Sequence, residues 1–545
     1  MKRIIVVLLL ILTASSVFAA KYEIVDYSFS ITGKTDPAEL SRIVGSTGSV
    51  FDSIDELEEY LDEKKQDLIN LRLFSDVVYQ YSVSSNVATG IYTVDVSFMI
   101  WDAKSFFIIP YPKYDSNYGF KLGVKMYNKN LGGKLTNFYG YFGFSQQKNQ
   151  FKKGQFDWEF SVKDIKLGTA TMSASTTGGI DLLKWGNTGL SFNTGIYHVR
   201  IKDFDLSASA GLSIAPLGSA KDSPWGLSEL TGTVSFKFDN EKMDNPAFST
   251  TLTQNLLTYE FDTSSQFSRN LQYGGIYSLT ALNIEQIDKP DEVNKGLDFI
   301  EIGTGIGRDF PLFDYLKLNM LLMFYVQYDY NEELVVPYFD LSFISSKSDI
   351  DWVGNYRKGF SYDLRMDLLS YPINETDRNS FRLWLSASGF YPLTSWFNPS
   401  MRISMTTSDR FQYFAFNKKA EIADYIRGVR LDNALVDTDI VPMHTNAIAI
   451  NLDFMLKFIS IRNFCKSYVT PFVDILIVNE ESADPGFDSI VTVGGEGIVI
   501  LDDFPGYPIR GSLGINANDL VDWMKGRKGL SEVEYEIYIG MGFLY

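Results

Sequence analysis

Apolar and polar residues alternate along this chain in two different regimes. In the first hundred residues, short alternating stretches are interrupted by segments with helical spacing. Val25, Tyr27, Phe29 and Ile31 alternate with polar neighbours, the period of a half-buried strand. Gly33 breaks that run. Asp36 followed by Pro37 predicts a helix start, a capping side chain and then Pro at the first helical position, and Gly45 is placed to end the helix. Ser53 and Glu56 have capping-box spacing, and Leu57, Leu61, Leu68 and Leu71 then recur on one helical face. Two further strands follow, one through Val77, Tyr79, Tyr81 and Val83 and one through Tyr92, Val94, Val96 and Phe98. The predicted order is β-α-α-β-β, with two helices on one face of a three-stranded sheet. An edge strand of that sheet stays open to pairing with a further strand.

From about Ser116 to Tyr545 the pattern changes to segments of roughly ten residues of alternating polarity, separated by Gly, Asn, Asp, Ser and Lys clusters. A membrane barrel requires this alternation, apolar side chains toward lipid and polar or small ones toward the lumen. It also requires closure, because a bilayer offers no partner to an unpaired backbone group. A soluble sandwich would not need an apolar outward face through several hundred residues. In the last segment Val533, Tyr535, Ile537, Ile539, Met541, Phe543 and Tyr545 share one face, opposite Glu534, Glu536, Tyr538, Gly540 and Gly542. Five segments follow residue 440, and eleven to fifteen precede it, depending on how the region 313–345 is divided.

Composition fits an all-β membrane protein. Aromatic residues make up 15% of the chain, with 32 Tyr, 41 Phe and 42 Gly, while the mean hydropathy of −0.05 is far from that of a helical membrane protein. The N-terminus predicts a secretory signal peptide over residues 1–19: Lys2 and Arg3, an apolar run from Ile4 to Leu12, and small-residue cleavage chemistry at Val17-Phe18-Ala19. The formal charge of −18 argues against nucleic acid as a partner, since that binding rests on basic side chains neutralising phosphates. Cys465 stands alone, so no intramolecular disulfide is possible. His198 and His444 lack the spacing of a metal site, and neither a nucleophile elbow nor a phosphate loop occurs. No catalytic residues, cofactor or metal are expected, and the chain is read as a non-enzyme.

Residues 20–102, with their β-α-α-β-β order, Gly33, Phe51, the segment Leu71-Arg72-Leu73-Phe74-Ser75-Asp76-Val77 and the strand ending at Trp101-Asp102, resemble a POTRA domain. Residues 103–116 then read as a linker and 117–545 as the barrel. Tyr425-Ile426-Arg427-Gly428-Val429-Arg430, inside a long connection around 408–443, resembles the Val/Ile-Arg-Gly-aromatic signature of the sixth extracellular loop in the BamA-type superfamily. Five strands follow that loop in the family and five segments follow it here. The Asn-Leu-x-Gly turn within Tyr127 to Gly133 and the run Pro505 to Gly511, with Arg510 inward, resemble further family patterns. A terminal aromatic on an amphipathic strand, here Tyr535, Ile537, Ile539, Met541, Phe543 and Tyr545, resembles the signal by which outer-membrane barrels are recognised for assembly.

The resemblance implies a 16-stranded barrel in the bacterial outer membrane with one POTRA domain in the periplasm. It also implies that the loop folds into the lumen, where acidic residues of the next strands hold its Arg. Parity locates them: outward Ile448, Ile450, Leu452, Phe454 and Leu456 turn Asn451, Asp453 and Lys457 inward, and outward Val473, Ile475 and Ile477 turn Asp474 inward. Arg427 and Gly428, with Asp453 and Asp474, are thus the expected loop lock. The pattern departs from the family at Val429, where an aromatic is usual, and at Leu476, where Gly is usual. The function implied is assembly or translocation of unfolded outer-membrane or secreted clients, in contact with lipid and with possible accessory periplasmic proteins or lipoproteins. The alternative is a passive barrel: a porin, a surface antigen or a structural protein.

Overall fold

The computed structural model describes residues 21–86, 91–115, 119–146, 155–168, 170–181, 188–201, 204–216, 225–238, 246–257, 296–313, 316–329, 334–370, 379–412, 426–428, 444–462, 464–480, 487–533 and 535–541. The expected signal peptide, Phe543 and Tyr545, and most of the 408–443 connection lie outside them. The chain divides into two compact units, one comprising 1–105 with 129–135 and 503–506, the other the remainder.

In the first unit the strands are β1 (Lys21–Thr32), β2 (Val50–Phe51), β3 (Phe74–Asn86) and β4 (Ile91–Asp102), with helices α1 (Pro37–Val44) and α2 (Ile54–Asn70). The caps act as the sequence predicts: Asp36 accepts from the Ala38 N–H and Ser53 from the Glu56 N–H. Glu56 reaches back one residue further than a standard capping box, taking the Asp52 N–H at 2.9 Å. The sheet order is β2-β1-β4-β3, with β1 and β4 parallel. The short β2 is an addition to the expected three strands. Leu57, Leu61 and Leu68 are fully buried against Ile24, Val94, Phe98 and Ile100, each contributing about 1.5–3 kcal/mol. Gly33 is required by a close approach. Asp102 accepts from the Lys34 N–H at 2.6 Å, the Thr35 N–H at 2.9 Å and the Thr35 hydroxyl at 2.8 Å. A Cβ on Gly33 would stand 2.2 Å from that carboxyl carbon.

The second unit is a ring of antiparallel strands. They are β5 (Phe106–Asp115), β6 (Gly119–Leu131), β7 (Thr136–Gln146), β8 (Gln155–Leu167), β9 (Ala170–Asp181), β10 (Gly189–Ile201), β11 (Phe204–Pro216), β12 (Trp225–Phe238), β13 (Pro246–Leu257) and β14 (Gly296–Phe313). The second half comprises β15 (Leu316–Asp329), β16 (Leu334–Val353), β17 (Tyr356–Ser370), β18 (Asn379–Phe390), β19 (Phe397–Gln412), β20 (His444–Ile461), β21 (Cys465–Glu480), β22 (Phe487–Leu501), β23 (Ile509–Asn516) and β24 (Tyr535–Met541). A helix, α3 (Ala517–Met524), lies between the last two strands. Exposure alternates as a lipid-surrounded cylinder demands: Ile302 and Ile306, Met401, Phe454, Leu513 and Ile539 are exposed, while Ala447, Ala449, Asn451 and Asp474 are buried.

Two expectations are corrected. The described ring has twenty strands, β5 to β24, where sixteen were expected. The region 313–345 carries full-length strands, so the count before residue 440 takes its upper value; sixteen came from family resemblance, which sequence patterning did not require. The segment 103–116 is not a linker, because β5 occupies most of it. Pro110 and Pro112 disguise that strand, since proline is tolerated only where no ladder hydrogen bond is demanded of it.

Neighbouring strands around the ring pair in long runs; β5 and β6, for example, run in register from Phe106↔Asn128 to Asp115↔Gly119. Where the last strand meets the first, the pairs among the described residues are Tyr538↔Asp115 and Ile539↔Tyr114.

Truncating Leu61 to Ala in the whole chain should destabilise the first unit by about 2–5 kcal/mol. Hydrogen exchange should then show amides of β1 and β4 losing protection while those of β20 to β22 keep theirs; unchanged exchange in β1 and β4 would contradict the assigned core.

Candidate functional site: a buried arginine at the centre of the last five strands

Ile426, Arg427 and Gly428 are buried inside the barrel, far from the position an exposed connection would occupy. The guanidinium of Arg427 donates from Nε to Asp474 Oδ2 at 2.8 Å and from Nη2 to Asp474 Oδ1 at 2.7 Å, a two-point grip on one carboxylate. Nη2 also reaches Asp453 Oδ1 at 2.5 Å. The backbone N–H of Arg427 donates to Asp474 Oδ2 at 3.0 Å, so this single carboxylate holds both the main chain and the side chain. The guanidinium carbon lies 3.5 Å from the centroid of the Phe472 ring, a cation–π contact on the same strand.

Arg427, Gly428, Asp453 and Asp474, the four residues named from sequence, therefore converge, and parity explains why. On β20 and β21 the residues two apart share a face, so Asp453 follows Asn451 inward and Asp474 follows Phe472 inward. Leu476 continues that inward row and is fully buried.

Several members of the site were not anticipated. Glu536 of β24 accepts the Gly428 N–H at 2.6 Å. Glu496 of β22 lies 3.8 Å from Arg427 Nη1 and 3.3 Å from Arg510 Nη1, bridging the two arginines. Arg510 faces inward, as the sequence suggests, and its guanidinium carbon lies 4.3 Å from the centroid of the Tyr538 ring. Three carboxylates, Asp453, Asp474 and Glu496, thus face the Arg427 guanidinium, and Glu496 is shared with Arg510. The inward parity of Glu536 was readable from the final strand; its partner was not, because nothing in the sequence ties residue 428 to residue 536.

Glycines make the approach possible. Gly428 has φ +85°, and a Cβ there would stand 2.7 Å from the Gly514 carbonyl carbon. A Cβ on Gly514 would in turn stand 2.6 Å from the Gly428 Cα, and one on Gly494 would meet the Leu513 carbonyl oxygen at 2.1 Å. The run Gly494-Gly495-Glu496-Gly497, which reads in sequence as an ordinary strand, thus supplies both a clearance and a carboxylate to this site. One tripeptide touches β20, β21, β22, β23 and β24 in succession. Among the described residues no group of three or more His, Cys, Asp or Glu side chains is arranged to hold a metal.

No family model matches this chain, and no curated protein matches it. Among solved structures it is similar to BamA from Haemophilus ducreyi lacking POTRA domains 1–3, with 11% identity over 95% of this chain and 84% of that one and a TM-score of 0.34. It is also similar to CdiB from Acinetobacter baumannii, with 9% identity, 95% and 73% coverage and a TM-score of 0.37. A third similarity is to the alcaligin outer membrane receptor FauA from Bordetella pertussis, with 9% identity, 82% and 78% coverage and a TM-score of 0.34. Scores this low carry no argument about function, which rests here on the geometry of the chain itself.

Replacing Arg427 with Ala should leave the buried Asp474 uncompensated and cost about 3–5 kcal/mol. The folded barrel should then lose its compact mobility on gels at a lower temperature than the parent. Arg427→Lys should not restore it, because an ammonium cannot grip both oxygens of Asp474 while also reaching Asp453. An Arg427→Ala barrel with parental heat resistance would show that the cluster does not hold the loop.

Proposed function

We propose that this chain is a bacterial outer-membrane barrel that handles unfolded polypeptides on their way into or across that membrane. The observation that carries the reading is the β24–β5 seam. Among the described residues two pairs join these strands, and β5 contains Pro110 and Pro112, neither of which can donate a backbone hydrogen bond. A joint short of backbone donors can open at smaller cost than its neighbours, exposing two strand edges to a client segment. Tyr538 and Ile539 at the seam adjoin Glu536, which is tied to Gly428, so the buried tripeptide steadies the last strand from within.

In this reading the first unit is a POTRA-type periplasmic domain that receives clients by strand addition, most simply along the outer edge of β3. That edge has no neighbour in the sheet order β2-β1-β4-β3. The partners are lipid and unfolded outer-membrane or secreted proteins, with accessory periplasmic proteins or lipoproteins as further candidates; no enzymatic step is invoked.

Tyr114 and Ile539 face each other across the seam and both side chains are exposed. Cysteines at these two positions, in a Cys465→Ala background, should therefore form a disulfide on oxidation. The oxidised protein should fail to sustain normal levels of other outer-membrane or secreted proteins in quantitative surface proteomics, and reductant should restore them. Normal client levels with the seam covalently shut would exclude a gating or templating role and leave a passive barrel, detectable only through solute permeability.

A further inference from the structure

A second lumenal site lies at the end of the barrel where the turns 354–355 and 391–396 sit beside β20 and β21. There a cavity of about 640 Å³ is lined by three lysines, Lys358, Lys457 and Lys466, and three tyrosines, Tyr356, Tyr391 and Tyr468. Its floor is apolar and packed: Tyr356 and Tyr468 meet edge to face with ring centroids 5.5 Å apart, joined by Met455, Ile498 and Ile500. Tyr356 opens β17 and Tyr468 lies on β21, so this floor spans several strands.

We propose that this mouth binds a compact anion of the phosphate class. In a chain of formal charge −18, three cations around one cavity are a local reversal of sign. Neither Lys358 nor Lys457 has a carboxylate within 4 Å among the described residues, and Lys466 has one, Asp502, at 3.7 Å. Ammonium groups lining one cavity favour counter-charge, and a multiply charged anion supplies more of it than a single carboxylate. Lysine binds phosphate as a compact point charge.

A phosphate oxygen in the cavity would accept from the lysine ammonium groups that line it.

The shared chemistry, a phosphate group, can come free or carried on a sugar headgroup, and the experiment separates the two. The whole chain in detergent micelles is titrated at fixed ionic strength with inorganic pyrophosphate and, separately, with glucose 1-phosphate. Binding is followed by calorimetry and by protection of Lys358, Lys457 and Lys466 from acetylation. Saturable binding with protection of these lysines is expected. The double variant Lys358→Gln, Lys457→Gln should weaken it by at least about tenfold, and Lys525→Gln on the exposed part of the chain should leave it unchanged. All variants should keep the parental heat resistance on gels, which separates lost binding from lost folding. Equal affinity for the two probes assigns the site to the phosphate itself, and a tenfold preference for glucose 1-phosphate assigns it to a sugar-borne group. Absence of saturable binding by either probe, or binding that the double variant does not weaken, would overturn the proposal.

Discussion

The burial of one cation organises the C-terminal third of this protein. Arg427 is 3% exposed, inside a barrel wall, where an unpaired charge would be prohibitively costly. It is tolerated because Asp474 grips it at two points and Asp453 and Glu496 add charge from two other strands. A buried ion cluster of this kind is a weak source of net stability against an apolar equivalent, but it is a strong source of specificity, because only one placement of the loop satisfies all the partners. The glycines at 428, 494 and 514 serve the same end by letting main chain approach main chain.

That placement has a mechanical consequence. The buried tripeptide is bonded to the last strand through Glu536, while among the described residues the outer edge of the same strand meets β5 at Tyr538 and Ile539. The tether from the loop and the contact that closes the ring therefore lie close together on β24.

Charge is distributed along the lumen in the same ordered way. Carboxylates gather around Arg427 and Arg510, and lysines gather at the short-turn mouth with a packed floor of Tyr356, Tyr468, Met455, Ile498 and Ile500 beneath them. Parity collects them: each strand sends every second residue inward, so polar residues of distant segments meet in the same interior, and their height along each strand sets which charges become neighbours.

Sequence by itself determined whatever depends on local period and local capping. The helices following Asp36 and Ser53, the alternation of the strands, and the inward direction of Asp453, Asp474 and Arg510 all follow from the positions of residues relative to near neighbours. The tertiary structure alone decided the strand number, the membership of β5 in the ring despite its prolines, and the roles of Glu496, Glu536, Gly494 and Gly514. It also brought together the lysines at the mouth. These depend on which strand lies beside which and on how deeply a loop enters the lumen, and both are fixed by closing the whole cylinder, a constraint that no stretch of ten residues carries.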